Sequence, residues 1–557
     1  MNVSQWTLEE KIGQLFICGF DGLEPDDAIR ALTKEYHIGG IVYFRRNVAS
    51  VEQISSLSHN LQRLPRSRSD IPLFISIDQE GGMVSRLDHD GISRIPGNMS
   101  LGAADDAELT FETAVLSANE MIALGMNLNF APCIDVNNNA ANPVIGVRSF
   151  GENPERVATH GVAAIRGYQK TGVGATAKHF PGHGDTAVDS HRGLAVVPHN
   201  KERLYQVELL PFRWAIEAGV DAIMTAHVIF PAFEPDEIPA TLSRRVLTEL
   251  LREEMGYKGV IITDCLEMHA ISKHCGIAEG AVQAIEAGAD IVLVSHTLPE
   301  QIGAIVAVQA AVKSGRLSEA RIDQSLERIL ALKSRRIGQN ALSGGGEAAG
   351  AGGLASSDSA ISFASSPLTP PDESDELLAR IAERSVTLVC DSGNLPLDSS
   401  QPVLVICPEL RGRTEVDEPS LHKYTLEDAL TALGYKVTLN VIGTQPTAAE
   451  IAAAIEQSAQ FKQIVVVTYT AEGAIPDGQR ELVKALNQEH DSQIIVASTR
   501  NPYDIDAFME TGTYLCLYEN RSFSIDALAK ILAGALRPQG VLPVSLNAQY
   551  PAGYRKL

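Results

Sequence analysis

The chain has 557 residues, with 46 Lys and Arg against 69 Asp and Glu, so its formal net charge is −23. This length favours two domains over one, and a hydrophobic content of 45% is ordinary for globular proteins. The acidic balance argues against nucleic acid or an anionic lipid surface as a partner.

Short apolar runs alternate with helical stretches such as 202–218 and 278–287 over the first part of the chain. Continuous apolar strands separated by helices are typical of a parallel sheet covered on both faces. The pattern therefore predicts an α/β fold, a (β/α)8 TIM-type barrel over residues 1–340. The apolar runs are Leu15 to Phe20, Gly40 to Phe44, Leu73 to Ile77, Leu128 to Ile134, Gly174 to His179, Ala222 to Ala226, Gly259 to Thr263 and Ala289 to Val294.

A change in composition follows the predicted barrel. Residues 341–373 are dominated by Gly, Ala, Ser and Pro, a composition that indicates a linker. Residues 374–557 then return to alternating strands and helices and predict a smaller C-terminal α/β sandwich domain. Its predicted strands are Val386 to Cys390, Val403 to Cys407, Val437 to Val441, Ile464 to Thr468, Ile494 to Ser498 and Tyr514 to Tyr518.

The sequence also bears on location and redox state. No stretch approaches the roughly 20 apolar residues of a membrane helix, and the first residues lack the features of a secretory signal, so we expect a cytoplasmic protein without a membrane partner. The seven Cys are an odd number without clustered spacing. We expect reduced thiols rather than disulfides or a zinc site.

Polar residues collect where the predicted barrel strands end. Asp78 follows the third strand, Lys178 and His179 end the fifth, and Asp264 follows the seventh. Active sites of TIM-type barrels lie at this end of the strands, so the pattern predicts a site there. Asp135 and His227 also lie at strand ends, and we interpret them as wall or supporting groups.

The densest polar segment is the loop KHFPGHGDTAVDSH, which runs from Lys178 to His191. Its Pro and Gly residues exclude a regular helix or strand, so it is predicted to be a loop. Asp189 and His191 are separated by one residue, close enough for the carboxylate to hold the imidazole in one tautomer. Such a pair suits a general acid/base near neutral pH. His183 is interpreted as structural or adjacent to substrate.

Three motifs resemble glycoside hydrolase family 3, within it the NagZ-like β-N-acetylglucosaminidase branch. They are the loop at 178–191, DQEGGMVSRL from Asp78, and ITDCLEM ending at Met268. The resemblance covers most of the first 335 residues and extends more loosely over the second domain, as in two-domain Gram-positive members.

The resemblance implies a retaining mechanism through a covalent glycosyl-enzyme. Asp264 matches the nucleophile, His191 the general acid/base and Asp189 its orienting partner. Residues that match the sugar-binding positions are Asp78, Arg86, Arg148, Lys178 and His179. Lys178, Arg86 and Arg148 are expected to make the pocket locally cationic.

The implied activity is removal of terminal GlcNAc from β-linked saccharides, with cell-wall muropeptides as the expected substrates and no cofactor or metal. A phosphorylase that uses phosphate as acceptor shares all of these residues, and the family also contains β-glucosidases. Two readings from other classes stay open: a metal-dependent barrel hydrolase built on the His residues and Asp264, and a catalytically silent sugar-binding protein.

Several site residues also have ordinary structural interpretations. Asp264 could be the N-cap of a helix over 266–271. Arg86 and Arg148 could form surface ion pairs, and Asp78 could end its strand as a turn residue. Cys265, beside Asp264, is interpreted as a buried structural thiol.

Overall fold

The computed structural model describes residues 5–64, 71–189, 193–337, 368–409, 424–471, 473–489, 492–508 and 511–556. Eight parallel strands close into a barrel, with the first strand hydrogen-bonded to the eighth and the second. The predicted TIM-type barrel is confirmed. Its strands are β1 Phe16–Cys18, β2 Gly40–Tyr43, β3 Phe74–Ile77, β4 Leu128–Asn129, β5 Gly174–Phe180, β6 Ala222–Thr225, β7 Val260–Cys265 and β8 Ile291–Val294.

Helices surround the barrel. They are α1 Leu8–Gly13, α2 Asp27–Lys34, α3 Val51–Gln62, α4 Asn98–Ala104, α5 Ala107–Ala123, α6 Pro154–Thr171, α7 Lys201–Gln206, α8 Leu210–Glu217, α9 His269–Ser272, α10 Ile277–Ala287, α11 Leu298–Lys313 and α12 Glu319–Arg336, with a π-helix at Arg245–Glu254. Short 3-10 turns lie at Arg45–Asn47, Gly146–Arg148 and Ala240–Leu242.

Two elements differ from the prediction because of proline. The fourth apolar run, 128–134, is a strand only over Leu128–Asn129, and Pro132 lacks the N–H that would continue the hydrogen-bonded ladder. The single helix predicted over 202–218 is two helices, the second of which has Pro211 in its first turn.

The second domain contains one six-stranded sheet. Its strands are β9 Thr387–Cys390, β10 Val403–Pro408, β11 Val437–Ile442, β12 Gln463–Thr468, β13 Gln493–Ser498 and β14 Thr513–Cys516, and its helices are α13 Pro371–Ser385, α14 Leu426–Ala432, α15 Ala448–Ser458, α16 Asp477–Glu489 and α17 Ser522–Leu532, with a 3-10 turn at Pro502–Phe508. The order across the sheet is β9-β14-β13-β12-β10-β11, and only β9 runs antiparallel to its neighbour. This confirms the predicted second α/β domain.

The predicted linker over 341–373 lies mostly outside the described residues, which stop at 337 and resume at 368. The domain limits at 340 and 374 therefore stay a proposal. Helix α13 begins at Pro371, within the last residues of the predicted linker. All seven Cys are free, and none of the described helices is both long and apolar enough to cross a membrane.

The two domains share a packed interface. Met99 and Ala103 of α4 belong to the same buried apolar cluster as Leu542 and Val544 near the C-terminus. The backbone N–H of Gly97 donates to Glu519 Oε2 at 2.8 Å, across the interface. The second domain is therefore held against the face of the barrel that carries the loop after β3.

Candidate active site

One cavity at the carboxyl ends of the barrel strands contains most of the predicted site residues. Its volume is about 120 Å³, and it opens among the loops that follow β3, β5 and β7. The predicted residues that line it are Asp78, Arg86, Arg148, Lys178, His179 and Asp264. Residues far apart in the sequence thus meet at the end of the barrel where chemistry was expected.

A buried network of charges forms one wall of this cavity. Lys178 Nζ donates to Asp78 Oδ1 at 2.6 Å and to Glu80 Oε1 at 2.7 Å. Arg148 binds Glu80 through two parallel hydrogen bonds, from Nη2 to Oε1 at 2.8 Å and from Nε to Oε2 at 3.0 Å. The side chains of Lys178 and Glu80 are each 2% exposed, whereas Asp78 is 20% exposed. Asp78 is therefore the end of the network that a ligand can reach.

The acid–base state of this network follows from its pairing. Burial alone would raise the pKa of Glu80, but Arg148 and Lys178 hold it well below its usual range. Burial lowers the pKa of Lys178, and Asp78 and Glu80 more than compensate, so that it is raised. Both groups are thus charged near neutral pH.

A tight hairpin after β3 positions Glu80 and Arg86. Strand Gln79–Gly81 pairs antiparallel with Val84–Ser85, and Gln79 Oε1 accepts the backbone N–H of Arg86 at 3.0 Å. Gly81 has φ +96°, and a Cβ there would lie 2.2 Å from the carbonyl oxygen of Pro96. Only Gly fits this turn, which accounts for one glycine of the motif.

Asp135 orders the start of the long loop. Its Oδ2 lies 2.7 Å from His179 Nδ1, and its Oδ1 accepts the backbone N–H of His183 at 2.6 Å. Burial raises the pKa of Asp135, but His179 outweighs this effect and lowers it to about 2. The ionised carboxylate accepts a hydrogen bond from Nδ1, so this nitrogen carries a proton, and His179 Nε2 lies 3.4 Å from Arg148 Nη2. Asp135 thus supports the site without lining the cavity, as predicted.

His183 and His227 lie in different positions relative to the cavity. His183 lines the cavity, and burial, with the nearby His179, lowers its pKa to about 4, so it is neutral. His227 is not among the residues that line the cavity. Its Nδ1 lies 2.7 Å from Thr241 Oγ1 and its Nε2 lies 3.0 Å from the carbonyl oxygen of Cys265. His227 therefore supports the end of β7.

Asp264 lies within β7 and faces the cavity. Its Oδ1 accepts the backbone N–H of Cys265 at 2.7 Å. The alternative interpretation as a helix N-cap is wrong, because helix α9 starts at His269 and is preceded by Met268. Burial, followed by the charge of Glu267, raises the pKa of the Cys265 thiol to about 12, so this thiol is protonated and unsuited to nucleophilic attack.

The predicted acid/base pair is described only in part. Asp189 is buried, and its carbonyl oxygen accepts the N–H of Gly193 at 3.1 Å. Ser190, His191 and Arg192 lie outside the described residues. The partnership of Asp189 with His191 therefore stays a prediction.

The described lining of the cavity is balanced in charge, whereas a locally cationic pocket was expected from the sequence. Among its described lining residues, Asp78, Glu80 and Asp264 balance Arg86, Arg148 and Lys178. The prediction considered the three cations and did not include Glu80, which pairs with two of them. Arg86 and Arg148 are also buried, so the surface ion-pair interpretation is wrong for both.

Three groups of described side chains have donor atoms close enough to share a metal ion. They are Cys133, Asp135 and His179; Cys265, Glu267 and His296; and Asp185, His199 and Glu208, with the atoms of each group within 4.8 Å of one another. In the first group, Asp135 already accepts hydrogen bonds from His179 and His183. In the third, both oxygens of Glu208 accept from Arg203. In these two groups the contacts are those of an ordinary hydrogen-bonded network.

Comparison with known proteins identifies the family. Residues 7–332, more than half of the chain, match the N-terminal domain of glycosyl hydrolase family 3. The chain belongs to glycosyl hydrolase family 3. The resemblance inferred from the three motifs is confirmed, and the protein is an enzyme of the glycoside hydrolase class.

Some relatives of this family 3 enzyme match both domains, and others match about half of the chain. It is 32% identical to β-hexosaminidase A of Pseudoalteromonas piscicida, over 93% of this chain and 90% of that protein. A β-hexosaminidase of Stenotrophomonas maltophilia strain R551-3 is 37% identical over 53% of this chain and 87% of its own length. The solved structure of a family 3 β-N-acetylglucosaminidase from Paenibacillus sp. str. FPU-7 has a TM-score of 0.89 and 51% identity, and covers 97% of this chain and 99% of that one.

The functional residue that sequence reasoning missed in this family 3 site is Glu80. It lies inside the motif that supplied Asp78, and it follows the same strand. A second acidic residue shortly after the end of a buried strand was the signal that could have identified it. Its role depends on Arg148, a partner 68 residues away, which no local pattern reveals.

Proposed function

We propose that this enzyme is a retaining exo-β-N-acetylglucosaminidase that releases terminal GlcNAc from peptidoglycan fragments. The observation that carries the proposal is the cavity of about 120 Å³, where Asp264 meets the Asp78–Lys178 pair and His179. The names of the relatives support the hexosamine specificity.

In the proposed reaction, Asp264 attacks the anomeric carbon while His191 protonates the oxygen of the departing aglycone. The bond from the anomeric carbon to that oxygen breaks, and a covalent glycosyl-enzyme forms. Water then attacks the same carbon, gives its proton to His191 and releases the Asp264 carboxylate. Two displacements at one carbon retain the β configuration.

The other cavity residues bind and orient the sugar in this proposal. Asp78 accepts hydrogen bonds from sugar hydroxyls, since its carboxylate is the exposed end of the charge network. Lys178 and Arg148 are fixed by Glu80, so their donors are already positioned before the sugar arrives. Asp189 orients His191, as Asp135 orients His179.

Product analysis tests the function and the acceptor together. The enzyme is incubated with a GlcNAc-MurNAc disaccharide, with and without inorganic phosphate, after exhaustive chelation of metals. We expect free GlcNAc as the product in both cases. GlcNAc-1-phosphate would identify a phosphorylase, activity lost on chelation would indicate a metal-dependent hydrolase, and cleavage of β-glucosides alone would contradict the hexosamine specificity.

Replacement of His191 by Ala should affect substrates unequally. Protonation matters most when the departing oxygen is strongly basic, so we expect kcat/KM to fall by about 10²- to 10⁴-fold with a sugar or alkyl leaving group. The loss should be much smaller with a nitrophenyl leaving group, which departs as a stable anion.

The matched control is His274→Ala, which removes an exposed imidazole from the barrel surface and should leave both substrates unaffected. Equal losses of His191→Ala on both substrates would contradict the acid/base role.

A further inference from the structure

One of the three groups of possible metal ligands lies at the sugar pocket. It consists of the Cys265 thiol, the Glu267 carboxylate and the His296 imidazole, whose donor atoms lie within 4.8 Å of one another. Cys265 and His296 line the pocket, and Cys265 is adjacent in sequence to Asp264. A metal ion held by this group would therefore lie beside the proposed nucleophile.

The ends of two neighbouring strands bring the three side chains together. Cys265 is the last residue of β7 and is in register with Leu293 of β8. Glu267 follows β7, and its Oε2 accepts the backbone N–H groups of Ser295 and His296 at 2.8 and 2.6 Å. Cysteine spacing in the sequence does not reveal such a group, because Glu267 and His296 are 29 residues apart.

The histidine of this group differs from those of the other two groups. In each of those, the imidazole is already bound to a carboxylate of its own group, His179 to Asp135 at 2.7 Å and His199 to Asp185 at 2.5 Å. In the part of the chain that the structure describes, no hydrogen bond or ion pair engages the ring nitrogens of His296, and this residue is exposed. Its imidazole can therefore bind a metal without first breaking a contact.

The donor set and its spacing suit Zn²⁺. Thiolate, imidazole and carboxylate are the side-chain ligands of zinc in proteins. Tetrahedral bonds of about 2.3 Å to sulfur and about 2.1 Å to oxygen place these two donor atoms about 3.6 Å apart. Cys265 Sγ lies 3.8 Å from Glu267 Oε2. Because His296 is exposed, its ring can move the remaining distance without disturbing the core.

The charges near the group allow a cation to bind. Arg46 and Arg86 act on His296 from one side, and Glu267 and Asp21 oppose them. Arg46 is itself paired with Asp21 at 2.6 Å. Zinc, one thiolate and one carboxylate sum to zero charge, so the occupied group would add no net positive charge of its own beside the two arginines.

We propose that Cys265, Glu267 and His296 form an inhibitory zinc site. As Zn²⁺ binds, the thiol releases its proton to solvent and a Zn–S bond forms, with no change of oxidation state. The metal then occupies the side of the sugar pocket next to Asp264, so that Zn²⁺ and saccharide exclude each other. Only this competition rests on the proposed function. Chelation therefore relieves inhibition and does not remove activity.

Titration with Co²⁺ tests the site without reference to turnover. The full chain is first freed of metal by chelation, and Co²⁺ is the probe because its bond to a thiolate gives a charge-transfer band in the near ultraviolet. We expect one equivalent to produce this band and Zn²⁺, which thiolates select, to remove it. Cys265→Ser should abolish the band, and His296→Gln should weaken binding of Co²⁺ at least tenfold.

Two other cysteines provide the controls. Cys275→Ser alters a partly exposed cysteine outside the three groups, and Cys133→Ser alters the cysteine of another group, so the band should persist in both. The proposal is overturned if the wild-type chain gives no thiolate band, if the band survives Cys265→Ser, or if it is lost with Cys133→Ser. If Cys265→Ser does not fold, the exposed His296 still decides, because unchanged binding by His296→Gln also overturns the site.

Steady-state kinetics test the competition with substrate. With an aryl β-GlcNAc, Zn²⁺ should raise KM and leave kcat unchanged, and His296→Gln should raise the inhibition constant at least tenfold. A fall of kcat at saturating substrate would contradict binding in the shared pocket. Since the Co²⁺ band is measured without substrate, failure of the metal site leaves the product analysis unaffected, and failure of the hexosamine specificity leaves the band unaffected.

Discussion

Replacement of Asp264 by Ala is expected to lower turnover of an aryl β-GlcNAc by about 10⁴-fold or more, comparable with loss of a nucleophile in other hydrolases. The carboxylate lies in β7 with one oxygen on the backbone of Cys265 and faces the cavity. Its removal leaves the charge network of Glu80 intact, so the fold should survive. Steady-state kinetics and thermal unfolding measure the two effects separately.

Chemical rescue sharpens the assignment of Asp264. Azide can enter the space left by the carboxylate in Asp264→Ala and attack the anomeric carbon from the same face, so the expected product is an α-glycosyl azide. The control is Asp236→Ala, which removes an exposed carboxylate beside Arg245 and should keep full activity. Appreciable activity of Asp264→Ala without azide would rule out the nucleophile role.

Glu80→Gln is expected to destabilise the enzyme by about 3–5 kcal/mol, the usual effect of breaking a buried ion pair by removing one partner. The substitution removes the charge that faces both Arg148 and Lys178, and neither cation is exposed to water. Urea unfolding measures the loss of free energy. Binding of substrate should weaken as well, because Lys178 loses one of its two carboxylate partners.

An exposed pair provides the comparison for Glu80. Glu279 binds Arg316 on the surface at 2.7 Å, with side-chain exposures of 41% and 40%, so Glu279→Gln should change the free energy of unfolding by less than about 1 kcal/mol. If Glu80→Gln does not fold, Glu80→Asp keeps the charge and should recover part of the stability. Similar small effects of both Gln variants would show that the buried network contributes little.

Strands were predictable here because each is a continuous apolar run, and all eight of the barrel were found from the sequence. The end of the fourth strand was less predictable, because Pro132 cannot continue the hydrogen-bonded ladder, and so was the division of the helix predicted over 202–218, where Pro211 starts a second helix. The positions of Asp78, Lys178 and Asp264 at one end of the barrel followed from the fold class alone. The hydrophobic periodicity and the barrel topology were together sufficient to place these three residues.

The pairing of charges could not be predicted, because it depends on contacts between distant segments. Glu80 and Arg148 meet only when the hairpin after β3 and the turn at Gly146–Arg148 pack together. For the same reason the sequence suggested a cationic pocket, whereas the folded protein has a balanced one. The contacts of Asp135 with His179 and His183 could not be predicted either. These residues follow Asp135 by 44 and 48 positions, and they meet it only in the folded chain.

The balanced charge of the sugar pocket determines how ionic strength affects the two acceptors that the reaction could use. Neither a neutral saccharide nor water experiences long-range attraction or repulsion, so added salt leaves their arrival unchanged. Phosphate is an anion that approaches a chain of net charge −23 without a cationic pocket to draw it in. Salt shortens the Debye length to about 8 Å at physiological strength and relieves that repulsion. With an uncharged aryl β-GlcNAc as substrate, hydrolysis is therefore expected to be insensitive to added salt, whereas transfer to phosphate is expected to depend on it.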